Sequence, residues 1–301
     1  MNKKGIFYAA GAYFLWGVLP IYWKLLHSVS SFQTLAHRVC WTFILLALVV
    51  ALRGEAPRLK QAFGNRRTVL YLTLTAALLA TNWIVYIWAV NNGHVVEASL
   101  GYFINPLVSV LLGVVFLRER LRPAQWGAVG LAAVGVGYLW RMYGAPPWIA
   151  LALAFSFALY GLFKKFAPVE SLHSFTIELA VMLLPALGYM VFVERQGMGA
   201  FGQGGWELRL LLMGTSVITA VPVLLFNSAA PLIPLSALGI LLYINPTFQF
   251  LIGLTVFGEP FSTGQLVGFG MIWTALLGYW LEGTLRRKQA GARPAGEAPV
   301  N

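Results

Sequence analysis

The chain of 301 residues contains no aspartate, has a single cysteine at Cys40, and only 10% of its residues are charged. All ten acidic residues are glutamates. An EF-hand loop, a Walker B carboxylate, an aspartyl-phosphate nucleophile and an intramembrane aspartyl protease pair each need a side chain that is missing. One cysteine excludes a disulfide framework. Neither a GxxxxGK[ST] phosphate loop nor an HExxH helix occurs, so self-powered ATP hydrolysis and zinc proteolysis lack their basic parts. No cofactor and no metal site is predicted. The histidines, including His37, His94 and His173, stand at neither metal-ligand nor triad spacing.

What the chain has in abundance is apolar surface, with 59% hydrophobic residues. Average globular proteins are about a quarter charged, and a helix crossing the hydrocarbon core takes about 20 mostly apolar residues. The sequence therefore predicts an all-α integral membrane protein. Apolar runs long enough to cross fall near residues 5 to 26, 31 to 52, 68 to 90, 95 to 117, 123 to 141, 147 to 163, 171 to 193, 208 to 229, 235 to 257 and 263 to 283. The first run follows a basic start, but it continues without a convincing cleavage site and reads as a retained helix. Past Glu282 the composition turns basic, small and proline-containing, which predicts a disordered cytoplasmic tail over 286 to 301.

The net charge of +11 does not indicate nucleic acid, because the cations are scattered between apolar runs instead of gathered on one solvated face. They do alternate by loop. With ten crossings and both ends inside, sixteen cations fall inside (Lys3, Lys4, Arg53, Arg58, Lys60, Arg66, Arg67, Arg118, Arg120, Arg122, Lys164, Lys165, Arg286, Arg287, Lys288 and Arg293). Four, Lys24, Arg141, Arg195 and Arg209, fall outside, and Arg38 lies within a span. This is the positive-inside bias, and it predicts a multi-pass cell-membrane protein with both termini cytoplasmic.

Sliding the second half along the first reveals an internal repeat at an offset of 140 residues. Tyr102 to Pro106 (YFINP) meets Leu242 to Pro246 (LYINP), and Gly113, Glu119, Gln125 and Gly130 meet Gly253, Glu259, Gln265 and Gly270. Leu15-Trp16-Gly17 resembles Leu159-Tyr160-Gly161 at a slightly different offset. A shift containing five crossings, an odd number, turns the second copy upside down, which predicts two inverted five-helix repeats over 1 to 143 and 144 to 285.

Ionisable groups at membrane depth are expensive and usually face a cavity or a partner. Arg38 beside His37, Glu97 and Glu178 are the candidates, and His37, Glu97 and Glu178 are those that would exchange a proton. The Arg38 cation and the two carboxylates suit a zwitterionic or anionic substrate; the alternative for Arg38 is a structural tether to backbone carbonyls or a neighbouring carboxylate. Glu97 is either a cavity group or a solvated carboxylate at a helix N-terminus. Glu97, Gly101 and Asn105 share one helix face with Tyr102 beside it; Asn82 and Tyr86 align on the preceding helix with Trp83 adjacent; the repeat supplies Tyr243 and Asn245. Such amides and aromatic rings build either a ligand pocket or interhelical hydrogen bonds. Pro106 and Pro246 each remove a backbone donor, predicting paired kinks that serve either as gates or as static bends. Glu119 and Glu259, at loop ends, read as anchors for the next turn. Gly264 and Gly268 form a GxxxG suited to close packing, within the fold or in a homodimer.

The segments from Asn82 to Asn91 (NWIVYIWAVN) and from Glu97 to Leu107 (EASLGYFINPL), followed by Leu117 to Leu121 (LRERL), resemble the drug/metabolite transporter superfamily, EamA type, and within it the RarD subgroup of bacterial permeases. The similarity runs from about Lys4 to Glu282 and implies ten helices in two inverted halves, alternating access around a central cavity, and movement of small organic metabolites or drugs across the bacterial inner membrane. Export is expected from the resemblance alone. The second half lacks an equivalent of the Asn82 to Asn91 segment, so the halves have diverged in role. The expected function is a secondary transporter whose partners are a small-molecule substrate and membrane lipids; a channel or a membrane enzyme is the alternative class.

Overall fold

A computed structural model describes residues 2 to 91, 95 to 143, 148 to 256 and 262 to 291. Among the described residues every regular element is a helix: α1 (Lys3–Val18), α2 (Pro20–Leu25), α3 (Ser31–Leu52), α4 (Ala56–Gly64), α5 (Arg66–Asn91), α6 (Val95–Leu117), α7 (Pro123–Tyr143), α8 (Trp148–Lys164), α9 (Ser171–Arg195), α10 (Ala200–Gln203), α11 (Trp206–Ala229), α12 (Leu235–Leu241), α13 (Ile244–Thr255) and α14 (Thr263–Gly291). Among the described residues five segments are both long and apolar enough to cross a membrane: Lys3–Leu25, Ser31–Leu52, Arg66–Tyr86, Ser171–Arg195 and Trp206–Ala229. The surface inverts the pattern of a water-soluble protein. Phe7, Leu52 and Leu184 are 74%, 78% and 78% exposed, whereas Lys164 and Glu178 are 2% and 0% exposed. A hydrocarbon solvent accounts for both, because it accepts apolar side chains and drives charge inward.

Every apolar run predicted from sequence is helical, but two of them are broken. The first divides at Leu19, before Pro20 opens α2. The ninth divides between α12 and α13, and Pro246 supplies the reason. Having no N–H, it cannot donate to the Leu242 carbonyl four residues back; that carbonyl accepts from the Asn245 N–H at 3.0 Å, a tighter turn that ends one helix and starts the next. Pro106, by contrast, sits inside α6, which continues through it. Beside it the Phe103 carbonyl accepts a hydrogen bond from the Tyr243 hydroxyl at 3.1 Å. Thus the two prolines of the repeat have different consequences: an uninterrupted helix in the first copy and a helix restart in the second.

Two helices fall where the sequence reads as loop. The nine-residue α4 is amphipathic and begins around Pro57, whose fixed φ suits a first helical turn. The other, α10, is a single turn. At the far end α14 runs to Gly291, past the predicted end near 283 and into the predicted tail; residues 292 to 301 lie outside the described set. Local caps explain several starts. The Asn2 side chain accepts from the Lys4 and Gly5 amides, and Asn65 does the same for Arg67 and Thr68.

Packing pairs α6 with α8, α7 with α14, α3 with α9 and α11, and α1 with α11 and α13. The GxxxG glycines are used within the chain. A Cβ on Gly264 would meet Met142 Cε at 2.3 Å and one on Gly268 would meet Leu139 Cδ2 at 2.5 Å, so both lie against α7. Gly239 lets α12 approach α6, where a Cβ would come within 2.8 Å of the Pro106 carbonyl oxygen.

Glu119 is structural, but it anchors a distant helix and not only its own turn. Helix α6 ends with Arg118 in the left-handed region (φ 54°) and with the Glu119 N–H donating to the Gly113 carbonyl at 3.0 Å, six residues back. That closure directs the carboxylate onto the N-terminus of α12, where it accepts from the Leu235 N–H (2.6 Å), the Ser236 N–H (3.0 Å) and the Ser236 hydroxyl (2.6 Å). Glu259, its repeat counterpart, lies outside the described residues. Nearby, Lys165 donates to the Ala230 and Ile233 carbonyls at the end of α11. Burial draws its ammonium below the ordinary lysine range, and Glu119 works against that shift. Replacing Glu119→Ala removes the cap and is expected to destabilise the fold by about 1–2 kcal/mol, with Glu119→Gln intermediate; thermal unfolding in detergent measures both.

Candidate functional site

A cavity with about 100 Å³ open to water-sized molecules lies between α1, α2, α3, α5, α6, α8, α11 and the α12–α13 break. Arg38 is its only charged lining residue among those described. Its position follows from α3, whose other buried side chains are mostly apolar, so the guanidinium must find partners in the protein. Its Nε donates to the Thr219 hydroxyl of α11 at 2.8 Å. The guanidinium carbon lies 4.1 Å from the Trp83 ring centroid and 5.5 Å from that of Trp23, so two indoles flank the charge. Aromatic faces stabilise a desolvated cation by roughly 2 kcal/mol without neutralising it. No carboxylate among the described residues pairs with Arg38.

The remaining wall divides into aromatic surface and amides. Tyr86 and Tyr102 both line the cavity, with ring centroids 5.8 Å apart in an edge-to-face arrangement. The wall also contains Trp16, Phe157 and Tyr160, which share Phe226 as a common neighbour. Trp16 and Tyr160 are counterparts in the sequence repeat, and both reach the same cavity. Asn82 lines the wall while its Nδ2 donates to the Leu153 carbonyl and the Ser156 hydroxyl, each at 3.0 Å. Asn245 and Gln249 also line the cavity, and the Gln249 amide donates to Asn245 Oδ1 at 2.9 Å.

Of the residues singled out from sequence, Arg38, Asn82, Trp83, Tyr86, Tyr102 and Asn245 therefore converge on one cavity. Asn105 does not line it: its Nδ2 donates to the Ala154 carbonyl at 2.9 Å and its Oδ1 accepts from Ser109, tying α6 to α8. Tyr243 is 1% exposed and, with its hydroxyl on the Phe103 carbonyl, also serves as a tie. Glu97 belongs to α6, but its side chain lies outside the described residues, as does all of His94. His37 points away from the cavity and stacks on Phe201 at 5.5 Å. Glu178 is buried elsewhere, paired with Lys164, a cation that charge counting assigns to a solvated loop.

Sequence reasoning missed Thr219, Trp23, Phe157, Tyr160 and Lys164. Only Lys164 carried a signal, as a lysine directly after an apolar run, and that pattern is equally that of a membrane-boundary residue. At the loop end of the molecule, Glu55, Glu170 and His173 bring ligand-capable atoms within 4.8 Å of one another, with His173 Nε2 3.1 Å from Glu55 Oε2. This contact joins the α3–α4 connection to α9. The tie role of Asn105 predicts that Asn105→Ala lowers stability by about 1 kcal/mol while leaving ligand affinity unchanged, as measured by thermal unfolding and equilibrium binding on the same preparation.

Comparison with known proteins gives a consistent picture. The EamA-like transporter family matches residues 3–141 and again 146–281. The Protein RarD of Streptomyces exfoliatus is 43% identical over 299 residues, covering 99% of this chain and 95% of that protein. An uncharacterized transporter of Bacillus subtilis, YojE, is 46% identical over 284 residues, covering 92% and 93%. A solved crystal structure aligns with a TM-score of 0.70 at 19% identity, covering 93% of this chain and 99% of the other, and so shares the fold. With two family matches that together span nearly its whole length, the chain belongs to the EamA-like transporter family and is a multi-pass membrane transporter, not an enzyme.

Proposed function

We propose that the chain is a secondary carrier that moves small organic metabolites or drugs, bearing an acidic group and a flat apolar body, outward across the bacterial inner membrane by alternating access around the Arg38 cavity. The observation that carries this reading is the Arg38 guanidinium itself: held by Thr219, flanked by Trp83 and Trp23, facing the cavity, and paired with no carboxylate among the described residues. A partly buried cation in that condition favours an incoming anion, since charge-assisted hydrogen bonds are the strong ones in a low-dielectric site. Tyr86, Tyr102 and the tryptophans offer ring faces for the apolar body, and the Asn245–Gln249 amides offer hydrogen bonds to its polar edge.

The cavity is small beside the roughly 300–1,000 Å³ of drug-sized ligand sites, so a ligand of that size requires the helices to part. That requirement supports a moving carrier over a fixed pore. In this reading Pro106 and Pro246 are the flexing points, and ten crossings form two inverted halves, 1 to 143 and 144 to 285, with both termini cytoplasmic. The repeat at an offset of 140 residues, the two family matches and the alternation of loop cations support that arrangement. Cysteines placed at 119 and 259 in a chain without Cys40 are expected to react with an impermeant thiol reagent from opposite faces of the membrane; reaction from one common face would rule the inverted arrangement out.

The ligand class is tested by the rise in melting temperature of the purified protein with matched aromatic carboxylates and amines. Carboxylates should stabilise and amines should not. Arg38→Gln is expected to weaken carboxylate binding by about 1.5–3 kcal/mol, the worth of a hydrogen bond to a charged group. Equal stabilisation by the amines, or an unaltered carboxylate response in Arg38→Gln, would refute the assignment.

A further inference from the structure

The cavity leaves unexplained the most deeply buried charges among the described residues. Lys164 Nζ lies 2.5 Å from Glu178 Oε1, with side-chain exposures of 1% and 0%. Lys164 also donates to the Ser174 hydroxyl at 2.5 Å, and the Thr75 hydroxyl donates to Glu178 Oε1. The Tyr160 hydroxyl lies 3.2 Å from Glu178 Oε2 and 3.0 Å from Asn227 Oδ1; having one proton, it donates to one of them at a time. Asn227 is 4% exposed, and its Nδ2 has no hydrogen-bond partner.

The arrangement of these groups follows helix periodicity. Leu79, Tyr160 and Val223 line the central cavity on α5, α8 and α11. Four residues along each helix stand Thr75, Lys164 and Asn227, and a four-residue step rises about 6 Å. Beyond them lies a second chamber, with about 500 Å³ open to water, lined by Lys164, Ser174 and Asn227 together with Lys4, Arg53 and Lys165. On these three helices, then, a single helical turn of polar side chains separates the cavity from this basic vestibule, and the Lys164–Glu178 pair is its centre. Resting on the carrier reading above, we infer that this ion-paired layer is the gate between the central cavity and the vestibule, and that it opens by exchanging the contacts within the cluster for vestibule water.

The energetics of a buried pair suit a reversible gate. Desolvation of two charges roughly cancels their attraction, so the closed layer is not deeply stable against a hydrated open one, whereas removing one partner leaves an unpaired buried charge and strongly disfavours closure. The unpartnered Asn227 amide marks a donor that the closed layer leaves unsatisfied and that water would satisfy on opening.

The test uses the full-length protein carrying Cys40→Ala and the reporter Val223→Cys in the cavity wall, with a charged, membrane-impermeant thiosulfonate applied to each membrane face separately. A Lys4→Cys control defines the vestibule face. From that face, Glu178→Gln should raise the rate of Val223→Cys labelling by about tenfold or more, corresponding to a population shift of about 1.4 kcal/mol. Thr75→Val, which keeps both charges, should raise it by a smaller factor and carries the test if Glu178→Gln fails to accumulate. The double substitution Lys164→Met with Glu178→Met should return the rate to that of the parent. Parental rates in both Glu178→Gln and Thr75→Val, or labelling as fast in the double variant as in Glu178→Gln, would overturn the gate. The readout needs no ligand, so its failure leaves the Arg38 binding result intact, and failure of Arg38 binding leaves the labelling result intact.

Discussion

Lipid offers no hydrogen bonds, so buried polar groups in this chain are driven to pair with other groups of the chain or with water in a cavity, and most of the specific contacts follow from that requirement. Beside the proline that interrupts the hydrogen-bond ladder of α6, a carbonyl accepts from the Tyr243 hydroxyl. Helix α12 begins after Pro234 without a side-chain cap of its own and receives a carboxylate from the end of α6. The carbonyls at the end of α11 receive the Lys165 ammonium. Each tie runs between helices far apart in sequence, so satisfying the backbone also fixes the bundle.

The same requirement sorts the charged side chains. Lys164 and Glu178 are matched to each other, with hydroxyls on the remaining positions. Arg38 is matched only in part, by one hydroxyl and two indole faces, and the rest of its guanidinium faces open space. A lysine and a glutamate paired with each other stand between two chambers, and a cation with no carboxylate partner among the described residues lines one of them. This difference in satisfaction, more than the presence of charge, distinguishes a barrier from a binding surface.

The repeat places similar residues at related positions, but their uses have separated. Trp16 and Tyr160 both reach the cavity and share Phe226. Asn105 and Asn245 do not share a role: the first ties two helices and the second lines the cavity. Pro106 is carried within a continuous helix, whereas Pro246 follows a helix restart. A duplicated sequence pattern thus supplies equivalent chemistry at two places, and the surrounding helices decide which copy is exposed to a ligand.

Helix content, the apolar runs and the membrane setting were legible in the sequence, because each depends on the length and composition of a local segment. The breaks at Leu19 and between α12 and α13 occur at runs containing Pro20 and Pro246, yet Pro106, carried inside α6, shows that a proline alone does not determine a break. Cavity residues such as Trp83 and Tyr86 were found because they stand near polar residues on one helix face. Thr219 and Tyr160 were not, since nothing local marks a threonine as the partner of an arginine more than a hundred residues away, or a tyrosine as part of the same cavity wall. Lys164 is the sharpest case. A lysine at the end of an apolar run has the same local sequence whether it reaches for the headgroups or turns inward. Only the packing of α8 and α9 against α5, which brings Glu178 within 2.5 Å, decides between them.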